Sequence, residues 1–231
     1  MAAKIYVAEE QWVGAATCYL NRGNALANLL RFGEAIAEFD KAEPVFAHSQ
    51  EQVGVAGCQL SRGDALANLG RFEEAIIEFN QAKSVFAQFQ LWNSVARSHL
   101  SHGDALANLG RLVEAVAEYE WAESIYAQSQ EWGYVARSQL NHGIALQKLG
   151  QYQEAIADYE RAEQLFADLG QRVGVAISQL NHGFALQNLG QHMEAKFYYE
   201  RSRPILAYVN QWSDVARYQL DLGVALQQLG Q

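Results

Sequence analysis

Proline is almost missing from this chain, with two residues in 231, Pro44 and Pro204, and cysteine is equally scarce, with Cys18 and Cys58. No apolar run approaches the roughly 18 residues that a membrane span needs. Residues 1–10 lack the basic, then apolar, then small-residue order of a signal peptide, so a cytoplasmic location is the default. Positive charge is in short supply too. Seventeen Lys and Arg face 26 Asp and Glu, and the net charge of −9 argues against nucleic acid or an anionic membrane as partner, since both need a basic face that displaces counterions. Catalytic signatures are also absent: no Gly-rich phosphate loop, no HExxH, no serine elbow, no paired metal cysteines. Nearly every polar candidate recurs in copies, whereas a catalytic constellation needs unlike groups converging once. These absences predict a protein that is not an enzyme and that uses no cofactor or metal.

What is present is repetition. Gly23, Gly63, Gly103, Gly143, Gly183 and Gly223 stand forty residues apart, within copies that read NRGNALANLL, SRGDALANLG, SHGDALANLG, NHGIALQKLG, NHGFALQNLG and DLGVALQQLG. A fixed period of this length marks a solenoid, in which each unit buries its apolar face against its neighbours and function lies on a surface. Val55, Ala56, Leu60, Gly63, Leu66, Ala67 and Leu69 recur at threes and fours, which predicts a helix A over about residues 52–69. It stops at Gly70, and Gly110, Gly150, Gly190 and Gly230 repeat the left-handed cap, with Leu30 the one departure. Phe72, Ala75, Ile76, Phe79, Ala82, Val85 and Phe86 then mark a helix B, and the short link makes the pair an antiparallel hairpin. Small residues such as Gly63, Ala75 and Ala82 serve as points of close approach, beside the bulk of Phe79 and Phe86. Cys18 and Cys58 stand in register with Ser98, Ser138 and Ser178, as small buried residues would.

The small residue in mid-helix A, the glycine turn and the run from Glu74-Ala75-Ile76 to Ala82 resemble the tetratricopeptide repeat. HEAT and armadillo repeats share the period but lack this glycine and alanine signature. The resemblance implies an all-α fold, a right-handed superhelical solenoid of antiparallel helix pairs. The usual unit has about 34 residues with a proline after helix B; this one has forty, and Pro44 and Pro204 lie inside helix B. The longer unit resembles the Pins/LGN and kinesin light chain branch, whose concave face holds extended peptide segments. One array over 1–231 is expected: a remnant helix B over 1–10, full repeats over 11–50, 51–90, 91–130, 131–170 and 171–210, and a final helix A over 211–231. Ends that fall within a unit suggest either a piece of a longer protein or self-association.

In this family helix A lines the concave groove, and one face of it, at spacing four, three, four, is polar where packing favours apolar residues. It carries Asn21, Asn24 and Asn28, then Asp64 and Asn68, then Arg97, Asp104 and Asn108, then Arg137, Asn141 and Ile144, then Asn181, Phe184 and Asn188, then Arg217. Asparagine is a poor interior helix residue, so its recurrence on one stripe asks for a reason. An amide donates and accepts at once, which suits an extended peptide backbone, and the resemblance implies that the asparagines form a ladder for one. Arg97, Arg137 and Arg217 add forked donors for carboxylates, while Ile144, Phe184 and Val224 give an apolar floor. Solvation of an exposed face, or bonds between neighbouring A helices, is the plainer reading of the same residues. Leucine at Leu20, Leu60, Leu100, Leu140, Leu180 and Leu220, where co-chaperones of the family carry a lysine clamp, argues against a chaperone-tail site.

The histidine ladder, His102, His142 and His182, cannot share one metal across helices that pack about 8 to 10 Å apart. Trp12, Trp92, Trp132 and Trp212 are expected to pack between repeats, and Glu74, Glu114, Glu118, Glu154 and Glu160 to solvate a convex face. The expected function is a protein-protein interaction scaffold that binds an extended or partly helical peptide segment in its groove. The alternatives are a sensor or autoinhibitory arm of a larger protein, or a rod that self-assembles through its terminal helices.

Overall fold

The computed structural model describes residues 2–208, with side-chain surroundings over 12–205. It forms two compact units, Met1–Arg111 and Leu112–Gln231. The first holds α1 (Ala2–Asn28), α2 (Phe32–His48), α3 (Gln52–Asn68), α4 (Phe72–Gln88) and α5 (Trp92–Asn108). The second holds α6 (Leu112–Gln128), α7 (Trp132–Lys148), α8 (Tyr152–Asp168), α9 (Arg172–Asn188) and α10 (His192–Tyr208). No strand occurs among the described residues. Helix A residues thus form α1, α3, α5, α7 and α9, and helix B residues the others. α1 runs without a break, joining residues 2–10 and the first helix A in one element.

Within each unit every helix packs on the next, and A helices also touch their nearest A neighbours, α1 on α3, α3 on α5, and α7 on α9. Three-residue links force this. After α3, the Gly70 amide bonds the Ala67 carbonyl at 3.0 Å and the Arg71 amide bonds Leu66 at 3.0 Å, a Schellman closure with Gly70 at φ +77°. The turn from helix B to helix A repeats the same closure, with glycine only at Gly170, φ +67°, between α8 and α9. The Leu91 amide reaches the Phe86 carbonyl at 2.9 Å, and Gln90 takes the left-handed conformation at φ +57°, as do Gln50 and Gln130.

The core follows from the alternation of bulk and absence of bulk. A Cβ built on Gly63 would lie 2.6 Å from Phe79 Cε1, so the ring occupies the space that a side chain would need. Ala35, Phe39, Ala42, Phe46, Cys58 and Ala65 close the core of the first unit, and Leu140, Leu146, Ala155, Tyr159 and Phe166 that of the second. In the repeats that carry glutamine near the end of helix A the tyrosine hydroxyl bonds it: Tyr159 donates to Gln147 Oε1 at 3.0 Å and Tyr199 to Gln187 Oε1 at 2.8 Å.

Two expectations are corrected. Cys58, Ser98, Ser138 and Ser178 are buried, but Cys18 is exposed. Both cysteines are free thiols, and burial pushes the Cys58 thiol up to about 12. Trp12, Trp92 and Trp132 are exposed rather than packed between repeats; Trp92 and Trp132 are the first residues of α5 and α7, where the three-residue link leaves the ring in solvent, and Trp212 lies outside the described residues. Among the described residues no helix is long and apolar enough to cross a membrane.

Candidate interaction surface

The predicted stripe comes together most fully in the first unit. Asn24 and Asn28 of α1, Asp64 and Asn68 of α3 and Arg97 of α5 line one open cleft of about 460 Å³, joined by Ala27, Leu30, Phe32 and Ser61. The contact between successive A helices is what brings residues of three repeats into one surface. Asn21 is exposed on α1 outside this lining. Further along the stripe on α5, Asp104 is half-buried and Asn108 exposed.

The polar groups are tied to the scaffold and to each other. Arg97 Nη2 donates to Asp64 Oδ2 at 2.7 Å, and the Ser101 hydroxyl donates to Asp64 Oδ1 at 2.9 Å. Arg97 is therefore an inter-repeat tie, with its charge already met by Asp64. The amide of Asn68 donates to the Asp64 carbonyl at 2.8 Å and that of Asn108 to the Asp104 carbonyl at 2.7 Å. These bonds to the preceding turn use one N–H of each amide, and both side chains remain exposed.

In the second unit the stripe divides. Arg137 is exposed and lines a separate cleft of about 510 Å³ with Glu131, Gly133, Tyr134, Phe166, Leu169 and Gln171. Asn188 is exposed, and its amide donates to the Phe184 carbonyl at 2.9 Å. Asn141 and Phe184 are half-buried, and Ile144 packs on the core around Tyr159. Asn181 is only 3% exposed and donates to the Ile177 carbonyl at 2.9 Å, so it faces packed residues rather than a groove. Arg217 and Val224 lie outside the described residues.

In the histidine ladder of the A helices, His142, and Arg62 in its register, meet acidic residues of the B helices. Glu74 and Glu154 are exposed as expected, yet Glu38 and Asp158 are buried. Arg62 bonds Glu43 at 2.5 Å and Glu78 at 2.9 Å, which bridges α2 and α4. In register, His142 Nδ1 lies 2.5 Å from Asp158 Oδ2, and Arg161 pairs with the same carboxylate. Burial disfavours the charged imidazole, but the Asp158 bond and the charges of Asp158, Glu120 and Glu123 outweigh it and raise the His142 pKa. His182 instead meets Tyr198, ring centroids 3.8 Å apart, and burial with the nearby Arg201 cation brings it down to about 4. Among the described residues no three His, Cys, Asp or Glu side chains converge as metal ligands.

Comparison with known proteins places this architecture. One tetratricopeptide repeat model matches residues 134–207 and another residues 56–88. No curated protein matches the chain. Among solved structures, the apo form of RapI aligns with a TM-score of 0.84 at 15% identity, covering 90% of this chain and 76% of its own. A Rap protein complexed with competence and sporulation factor aligns at 0.75 and 15%, covering 94% and 64%. The nearly identical TPR-like repeats of a Podosopora anserina putative kinesin light chain align at 0.70 and 21%, covering 84% and 96%. With helix hairpins, glycine-capped turns and these matches in agreement, residues 56–88 and 134–207 are tetratricopeptide repeats, set in a fold shared with solved arrays of that kind.

Proposed function

We propose that the chain is a protein-protein interaction scaffold working in the cytoplasm, and that its helix A face holds an extended or partly helical segment of another protein. The observation that carries this reading is the first-unit cleft, where amides from two repeats flank a carboxylate-guanidinium pair that is already neutralised. Such a surface offers paired donors and acceptors without a net charge, which matches the needs of main-chain N–H and C=O groups better than those of an ion. The forty-residue period supports kinship with the Pins/LGN and kinesin light chain branch. The solved Rap protein complexed with competence and sporulation factor supports a ligand held by this fold. Free thiols suit a reducing compartment. Asn24, Asn28, Asn68 and Asn108 form the ladder we assign to the ligand, with Asp64 and Arg97 holding its register, and Arg137 and Asn188 extend the stripe in the second unit.

The test is affinity capture from the native host's lysate by the full chain and by a variant with Asn28→Ala, Asn68→Ala and Asn108→Ala, folding being checked by circular dichroism. A partner retained by the wild type and lost by the folded variant is the expected result. Identical captured sets from both chains would overturn the groove assignment.

A further inference from the structure

The first A-to-B turn departs from the pattern of the repeat in a way that folding does not repay. Gly70, Gly110, Gly150 and Gly190 hold the left-handed cap position with φ between +76° and +80°. The residue in register ahead of them is Leu30, at φ +60°. A bulky residue in that region crowds its own backbone, so Leu30 strains a turn that glycine closes freely. Burial does not offset the strain, because Leu30 is 76% exposed and its neighbour Leu29 is 68% exposed. Gln50, Gln90 and Gln130 also take positive φ, but their polar side chains lose nothing to water. Leu30 thus carries two costs at once, a strained backbone and a hydrated apolar side chain. It is also part of the wall of the cleft that holds Asn28, Asp64 and Asn68, with Phe32 beside it.

We propose that Leu30 is a specificity-determining contact of that cleft, seating an apolar side chain of the bound segment while the Asn28 and Asn68 amides hold its main chain. This rests on the groove reading above. The charges of Asp64 and Arg97 satisfy each other at 2.7 Å, so a charged ligand side chain would find no unmatched partner there and would lose hydration against leucine and phenylalanine. An aliphatic or aromatic side chain has the opposite balance: it covers Leu30 and Phe32, removes apolar surface from water and leaves the amides to its flanking peptide groups. Strain and exposure at a residue lining a ligand cleft are features that binding, rather than folding, explains.

The experiment uses peptides selected from a random display library on the full wild-type chain, then measured against variants. The reference variant, Asn28→Ala with Asn68→Ala, identifies the peptides bound through the cleft. Those peptides are expected to share an apolar residue and to bind Leu30→Gly about tenfold more weakly, the worth of one covered apolar side chain. The melting temperature of Leu30→Gly is expected at or above wild type. Leu30→Asn, which tolerates the left-handed turn but is polar, is expected to bind as weakly as Leu30→Gly, and Leu30→Met to restore binding. If cleft-dependent peptides bind Leu30→Gly as tightly as wild type, or if Leu30→Gly melts lower, the role of Leu30 is overturned while the groove stands. If no selected peptide depends on Asn28 and Asn68, the groove and the Leu30 contact fall together.

Discussion

Arg97 on α5 reaches back to Asp64 on α3, Nη2 to Oδ2 at 2.7 Å, and Ser101 one turn later closes on the other carboxylate oxygen at 2.9 Å. The sequence separations, 33 and 37, are seven and three residues short of the forty-residue repeat, so both partners lie on the same stripe of consecutive A helices. A stripe that faces solvent is therefore also a joint between repeats. Asn68, Asn108, Asn181 and Asn188 bond back into their own helices, while Arg97 and Asp64 bond across.

Asp64 and Arg97 are partly exposed, so their coupling is modest. A double-mutant cycle on Asp64→Asn and Arg97→Gln, followed by urea denaturation of the full chain, is expected to return about 0.2–1 kcal/mol of interaction energy, smaller at high salt. A coupling of zero at low salt would mean that the pair does not tie the helices.

His142 and His182 occupy the same register and respond to pH in opposite directions. His142, faced by Asp158, Glu120 and Glu123, has a folded pKa above its unfolded value, so its stabilisation is complete below about pH 6.5 and is lost as pH rises through the folded pKa. His182, faced by Tyr198 and Arg201, is held to about 4, so the unfolded chain takes up its proton first and stability falls as pH drops from about 6.5 toward 4. Denaturation midpoints between pH 5 and pH 8 are expected to show wild type losing its advantage over His142→Gln on the alkaline side. Against His182→Gln the wild type is expected to lose about 2 kcal/mol between neutral pH and about pH 5. Parallel profiles for wild type and His182→Gln would show that His182 titrates normally in the fold.

Much of this architecture is legible in the residues. Gly63 with Phe79 and Gly70 after Leu69 announce a close approach and a left-handed cap, because only glycine serves both purposes. The pairing of Tyr159 with Gln147 is only partly legible: Phe39 and Phe79 stand with Ala27 and Ala67, but Tyr119 stands with Ala107, so tyrosine does not by itself announce the glutamine. Three of the helix B to helix A turns were not readable, because Gln50, Gln90 and Gln130 carry no signal for positive φ, where Gly170 in register does; the backbone closure of the preceding helix imposes it. Stripe membership placed Asn24, Asn28, Asn68 and Arg97 in one cleft but could not separate them from Asn181. That difference depends on local packing, which buries one register position in α9 and leaves it open in α1. The inward turn of Glu38 and Asp158 was hidden for a similar reason. An acidic residue on helix B looks solvated until the opposing helix A partner is laid beside it, Arg22 for Glu38 and His142 for Asp158.

The close approach of α3 and α4 gives the sharpest test of the core, because two effects of known sign compete at Gly63. Alanine in place of a mid-helix glycine normally stabilises by about 1 kcal/mol, through lower backbone entropy in the unfolded chain. Here the added methyl would sit 2.6 Å from Phe79 Cε1 and 2.8 Å from Cδ1, distances at which the ring must move. Overpacking of a tight core costs about 1–3 kcal/mol, so Gly63→Ala is expected to be net destabilising by about 1 kcal/mol. The midpoint of thermal unfolding should then fall by about 2–4 °C for a chain of this size. Adding Phe79→Leu should turn the same alanine from destabilising to stabilising, measured against Phe79→Leu alone, because the methyl then meets open space. A Gly63→Ala chain more stable than wild type would show that the Phe79 ring yields without cost and that glycine is not required at the crossing.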